Sequence, residues 1–315
     1  MRQSGADELD ISINRDCVPV KNITAVFQEL DVQPKEKVMA IRLWIQSATD
    51  LSVYAGFARS IEPHARRVCR PDTEISVHGV TMGNPEGMPS SDAHYGFPPL
   101  TRELISLQIV GNAIRAEREK YDAMVVTSFM DVGVDLAQSA VDIPVVGFCS
   151  GSLRMASTMG RKLGLISIDP GQLRMVNYVV QRNGFSDLVS GLTCIDPPVT
   201  PEELGANEAV GGNLIVERFK AAAKRLIADG ADIIIPAEGF LAGLLHQFSV
   251  TEVAGVPVFD VHGASYALAE CLAGLRKASS FKVSRKGAYA KAPNDRLVHV
   301  AEHSLRAFNA ALERR

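Results

Sequence analysis

Glu238 closes the apolar run Ile233-Ile234-Ile235-Pro236-Ala237, so its carboxylate emerges at the C-terminal end of a buried strand. A carboxyl group shielded from water there takes a raised pKa, which suits it to general acid/base work. The same position also suits a structural carboxylate that caps the next helix. Ser128 and Asp131 stand in a comparable place, in the turn Thr127-Ser128-Phe129-Met130-Asp131 after the run Ala123–Val126. Ser128 can hydrogen-bond a substrate carboxylate or oxyanion, or act as a nucleophile. Asp131 can orient a neighbour or cap the following helix. His262 is placed at the end of a strand that starts near Pro257. With Glu238, Asp131 and His94 it can complete a proton relay or a divalent-metal site, although no HxH or HExxH spacing marks a metal. His94 and Tyr95 lie in the long polar loop 83–99 and are candidate lid residues. Phe129 and Gly239 directly follow Ser128 and Glu238 and complete the expected substrate contacts in those two turns.

These residues need strand ends to hold them, and the pattern supplies the strands twice. Tyr121 to Gly151 reads as strand, polar turn, short helix Val134 to Ala140 and second strand Pro144 to Phe148. Ala231 to Gly263 repeats that order, with Asp122 matching Asp232 and Ser128 matching Glu238, 110 positions on. In an open parallel sheet the turn after a strand is where ligands bind. A duplicated α/β unit therefore places Ser128 and Glu238 at one shared site.

Further strands are expected over Val38 to Ile45, Thr73 to Val80, Gly164 to Ile168 and Leu192 to Ile195. Helices are expected over Leu51 to Val68, Leu100 to Arg118, Leu153 to Lys162, Met175 to Arg182, Leu214 to Ala228, Ala264 to Ala278 and Leu297 to Leu312. Their alternation predicts an α/β fold with mostly parallel sheets. The turn after the first strand, Gln46-Ser47-Ala48-Thr49-Asp50, offers hydroxyls and N–H groups to a carboxylate or phosphate, or serves as a plain N-cap.

Composition narrows the class. A net charge of −3 carries no nucleic-acid footprint. No apolar run is long enough to span a membrane, and the acidic start lacks a signal-like apolar segment. The five cysteines, 17, 69, 149, 194 and 271, are scattered, which fits reduced thiols in a cytoplasmic protein.

The stretch VVTSFMDVGVDLAQSAVDIPVVGFCSGSLRMASTMGRKLGLIS resembles the central segment of the aspartate/glutamate/hydantoin racemase superfamily. GADIIIPAEGFLAGL, continuing to GVPVFDVHGASYALAE, resembles its second active-site segment. IRLWIQSATD is similar to its first strand and polar turn, without the usual Asn-Pro-Asn-Thr. The hydantoin- and allantoin-racemase-like subgroup is the nearest in pattern, over residues 38 to 275. The resemblance implies two pseudo-symmetric Rossmann-like α/β halves with the active site between them. The boundaries expected are an N-terminal extension 1–37, a first half of 38–145 plus 260–315, and a second half 146–259. It also implies a small-molecule substrate, a homo-oligomer and cofactor-independent proton removal beside a carbonyl.

In that superfamily one cysteine from each half faces the substrate carbon, one taking the proton and the other returning it. Ser128 and Glu238 stand at those two positions here. The resemblance therefore implies an enzyme on a small carboxylate or hydantoin-like ring with Glu238 as general acid/base. It also makes Gln46 and Ser47 candidate contacts to a substrate carboxylate or ring amide. Two alternatives remain: a hydrolase or lyase on the same ligands, metal-assisted or not, and a non-catalytic binding protein.

Overall fold

The computed structural model describes residues 40–81, 99–199, 203–204, 212–291 and 293–312, leaving aside the side chains of residues 294 and 295. The extension 1–37 and the loop residues His94 and Tyr95 lie outside the described residues. The described residues all belong to one compact unit.

The first sheet holds β1 (Arg42–Gln46), β2 (Glu74–His78), β3 (Ala123–Val126) and β4 (Val145–Gly147), in the order β2-β1-β3-β4. All of its pairings are parallel. The second sheet holds β5 (Leu163–Ser167), β6 (Val189–Cys194) and β7 (Ile233–Pro236), in the order β6-β5-β7, again parallel. Every residue of β3, β4, β5 and β7 is buried. Their near-continuous Val/Ile/Leu content follows from burial on both faces.

The two sheets repeat each other in hydrogen-bond detail. Asp122 N–H donates to the Arg42 carbonyl at 2.8 Å, and its carboxylate accepts from Arg42 N–H at 2.8 Å. Asp232 does the same at Lys162, at 2.8 and 2.9 Å. At the other strand end Thr127 N–H reaches the Gln46 carbonyl at 2.8 Å, and Ala237 N–H reaches that of Ile166 at 2.7 Å. The duplication read in the sequence is thus a pseudo-symmetric pair of sheets, with β1, β2 and β3 answering to β5, β6 and β7.

Helices cover both sheets: α1 (Ala55–Val68), α2 (Pro99–Arg118), α3 (Val134–Ala140), α4 (Phe148–Ala156), α5 (Pro170–Arg182), α6 (Gly212–Ala228), α7 (Gly239–Gln247), α8 (Val261–Ser279) and α9 (Asn294–Leu312). One apolar core includes Ile45 and Val125 of the first sheet, Leu165 and Ile235 of the second, and Phe148 and Tyr266 from the helices. Continuous burial across both halves makes them one unit.

Several element ends shift from the sequence pattern, such as α5 starting at Pro170 rather than Met175 and α1 at Ala55 rather than Leu51, and two further differences have a tertiary cause. The helix after β4 starts at Phe148, not Leu153, and ends at Ala156. Its start is fixed by a side chain distant in sequence: Asp131 accepts Cys149 N–H and Ser150 N–H, each at 2.9 Å. A Cβ on Gly147 would sit 2.2 Å from Asp131 Oδ1, so only glycine fits beside this cap. The second difference is at Pro257. In place of a long parallel strand there is a short antiparallel hairpin, β8 (Glu252–Val253) with β9 (Val256–Pro257), and one parallel bridge from Val258 to Ile234.

Asp131→Ala is expected to lower the free energy of unfolding by about 1–3 kcal/mol, because two buried N–H groups lose their acceptor. Asp131→Asn, which keeps an acceptor oxygen, should lose less. Urea unfolding of both variants measures the difference.

Candidate active site

The C-terminal ends of β1, β3 and β7 and the first turn of α5 surround a cavity of about 40 Å³. Ala48 and Thr49 come from the turn after β1, and Thr127 to Met130 from the turn after β3. Glu238, Gly239 and Phe240 follow β7, Gln172 comes from α5, and Phe57 comes from α1. Ser128 and Glu238 are therefore brought to one cavity from symmetry-related strand ends.

Glu238 has extended backbone angles at the N-cap of α7, and its Oε2 accepts Leu241 N–H at 2.6 Å. The capping role and the cavity position thus coincide in one side chain. Burial raises the carboxyl pKa from 4.5 to about 7, against the backbone donors of Leu241, Phe240 and Gly239, which lower it. Near neutrality the group passes between acid and base forms, as a proton-transfer residue requires.

Polar groups line the rest of the cavity. Thr127 Oγ1 is buried and has no hydrogen-bond partner among the described residues. Buried hydroxyls are rarely left without a partner, so this one is a ready contact for a bound molecule. Gln172 is projected by the helix start Asp169-Pro170-Gly171, where Asp169 Oδ1 accepts Gly171 N–H at 2.6 Å and Gln172 N–H at 3.0 Å. Phe129 and Gly239 line the cavity as the sequence suggested.

Four other residues singled out in the sequence sit elsewhere. Gln46 is fully buried and its amide is consumed internally: Oε1 accepts from Trp44 Nε1 and Asn112 Nδ2, each at 3.0 Å, and Nε2 donates to the Ser47 carbonyl. Ser47 is also fully buried, and its Oγ pairs with Thr49 Oγ1 at 2.8 Å. Neither lines the cavity; Ser47 supports Thr49, which does. Asp131 is 3% exposed and is spent on the α4 cap rather than on a substrate contact. Burial lifts its pKa to about 6, while donors from Ser150 and Cys149 pull it down.

His262 lies in the first turn of α8, not at a strand end, and is 1% exposed. Its Nε2 is 2.9 Å from the Gly239 carbonyl, which can only accept, so Nε2 carries the proton. Nδ1 then accepts from Tyr266 Oη at 3.2 Å. Burial, then the neighbouring His64, push the imidazole pKa down to about 4, so the ring is neutral. His262 thus ties the first turn of α8 to the Gly239 carbonyl, next to Glu238.

Phe57 and Phe240 stack at 4.3 Å and line a second, larger cavity of about 1030 Å³ as well as the small one. The outer cleft also takes in Tyr54, His64, Arg67, His246 and His262. Thr49 belongs to the polar turn that the sequence offered as a ligand contact, whereas Thr127, Gln172, Phe57 and Phe240 were missed. Of these only Gln172 follows a clear local signal, the Asp-Pro-Gly helix start.

Paired parallel sheets whose strand ends meet at one inner cavity define an α/β fold of two related halves. The family model described as Asp/Glu/Hydantoin racemase matches residues 54–269, and the chain belongs to that family. A hydantoin racemase from Paenarthrobacter aurescens is 27% identical over 190 residues, 60% of this chain and 75% of that protein. A hydantoin racemase from Rhizobium meliloti is 26% identical over 206 residues, 64% of this chain and 79% of the relative. Among solved structures, allantoin racemase from Klebsiella pneumoniae superposes with a TM-score of 0.65 at 21% identity, covering 81% of this chain and 95% of the other.

Proposed function

We propose that this racemase-like enzyme breaks and remakes a C–H bond beside a carbonyl in a hydantoin-like ring or small carboxylate, with Glu238 as the base. The observation that carries the reading is the Glu238 carboxyl, lodged at the inner cavity with a pKa raised to about 7. The names of the curated relatives, hydantoin racemases, support the ring as substrate class. So does a lining of hydroxyls and one amide, which match the alternating N–H and C=O edge of a ureide.

In this mechanism Thr127 Oγ1 and Gln172 hold the ring, and a hydroxyl donor stabilises the oxygen that gains charge as the proton leaves. One Glu238 oxygen stays on Leu241 N–H while the other takes the proton. A cavity of about 40 Å³ accommodates little more than one water molecule, so the Phe57–Phe240 pair must part to admit a ring. A substituent on the ring then extends into the outer cleft.

The base acts in its ionised form, so the reaction fails when Glu238 is protonated. kcat/KM for Cα–H exchange is expected to rise about tenfold per pH unit below pH 7 and to level off above it. A rate that is flat from pH 5 to 8 would remove Glu238 from the role. The direct test of the function is ¹H NMR in deuterated water with 5-substituted hydantoins and small amino and dicarboxylic acids, read for loss of the Cα proton.

A further inference from the structure

A second cluster of chemically capable side chains lies in the outer cleft, away from the Glu238 cavity. His64 comes from α1, His246 from the last turn of α7, and Asp260 is the N-cap of α8. One ligand atom from each can be chosen so that all three lie within 4.8 Å of one another. His64 Nε2 is 2.8 Å from Asp260 Oδ2, and the His64 and His246 rings stack at 3.8 Å. His64 is buried, whereas the Asp260 side chain is 45% exposed, so one side of the cluster is anchored and the other faces the cleft.

The orientation of His246 is set by its neighbour. Arg67 Nη1 is 2.8 Å from His246 Nε2, and a guanidinium can only donate. His246 Nε2 therefore presents a lone pair, and it already holds a cationic group. Asp260 Oδ1 accepts Gly263 N–H at 2.9 Å, which leaves Oδ2 directed at the histidines. Two imidazole nitrogens and one carboxylate oxygen from three separate elements form the donor set of a borderline divalent metal.

We propose that His64, His246 and Asp260 form a binding site for one divalent cation of the Zn²⁺ class, open to the outer cleft. Ligand atoms around such a cation stand about 3.4 Å apart for metal–ligand bonds of about 2.1 Å, so the donors need shift only by fractions of an ångström to about 1 Å. His64 moves its proton from Nε2 to Nδ1, Arg67 swings into the cleft, and water fills the remaining position. The cation then ties α1, α7 and α8 together. The proposal rests on this geometry alone and is independent of the role given to Glu238.

The test is calorimetric titration of chelator-treated protein with Zn²⁺ alone. Three competing donors are removed from all samples. His299 and His303 face each other on α9 with ring centroids 4.3 Å apart, and Cys271 is an exposed thiol, so the background is H299A, H303A and C271S. One Zn²⁺ per chain is expected. His246→Gln and Asp260→Asn should each weaken binding at least tenfold, and Arg67→Met should strengthen it. Asp260→Asn keeps an oxygen for Gly263 N–H, so the helix cap survives. Co²⁺ added to the same background should shift the imidazole proton signals of His64 and His246 most strongly, with a smaller shift at His262, whose ring stacks on His64 at 5.4 Å. Absence of binding, or an isotherm unchanged in both ligand variants, overturns the site and leaves the cluster as a hydrogen-bonded cap.

Discussion

Glu238→Gln should reduce Cα–H exchange by about 10²–10⁴-fold while the fold is retained. Glutamine keeps an oxygen for Leu241 N–H, so the α7 cap observed at 2.6 Å can persist. What it loses is the ability to take a proton. The variant should also be more stable than the parent at neutral pH. The folded-state pKa of Glu238, about 7, lies above its unfolded value of 4.5. A carboxyl shifted upward favours the native state below its unfolded pKa, and that contribution is lost as pH rises through the folded pKa. The parent therefore loses stability between pH 4.5 and 7, by about 3 kcal/mol at most, and Gln removes that loss. Thermal unfolding of the two proteins should diverge across that window and run parallel above it. The stability gain reports the buried, raised-pKa carboxyl, and the loss of activity beside it separates a proton-transfer carboxylate from a cap. A purely structural Glu238, equally buried, gives the stability gain with activity retained.

Ser128→Cys should change the stereochemical outcome more than the exchange rate. In the proposed site Glu238 and Ser128 approach the substrate carbon from the two symmetry-related strand ends. A serine hydroxyl is too weak an acid to return a proton as a thiol does. The parent enzyme should therefore exchange the proton of one enantiomer faster than it inverts the centre, since Glu238 removes and returns it on one face. A thiol at 128 supplies a proton from the other face, and inversion should rise by about 10–100-fold with exchange little altered. Following optical rotation and deuterium incorporation in the same sample measures both. Equal rates of exchange and inversion in the parent would contradict the one-sided assignment.

The sequence shows the repeated frame well, because its marks are local. The runs Ala123–Val126 and Ile233–Pro236 are uniformly apolar and bounded by Asp122 and Asp232, whose carboxylates fasten the neighbouring strand starts. Helix α3 was legible over its full span for the same reason. The start of α4 was not, since the acceptor that sets it, Asp131, lies 18 residues upstream and meets it only after the chain has folded back.

The site divides along the same line. Ser128, Phe129, Glu238 and Gly239 follow strands that are themselves legible, and the structure puts them on the cavity. Gln46 and Ser47 looked equally available, but a polar side chain at a strand end can turn inward, and both are consumed by bonds to Trp44, Asn112 and Thr49. Phe57 reads as one more apolar residue on the α1 stripe, and only Phe240 of α7, stacked on it, makes it a wall of the site. His262 was placed at a strand end because the continuation of the repeat was expected to stay extended; the hairpin at β8 and β9 ends it sooner.

The most direct measurement compares the parent with Glu238→Gln by ¹H NMR in deuterated water, over pH 5 to 9, with both enantiomers of a 5-substituted hydantoin. The account predicts loss of the Cα proton signal in the parent, with a midpoint near pH 7 and faster exchange of one enantiomer, and almost none in the variant. Full exchange by Glu238→Gln, or turnover to new products with the Cα proton retained, would contradict it.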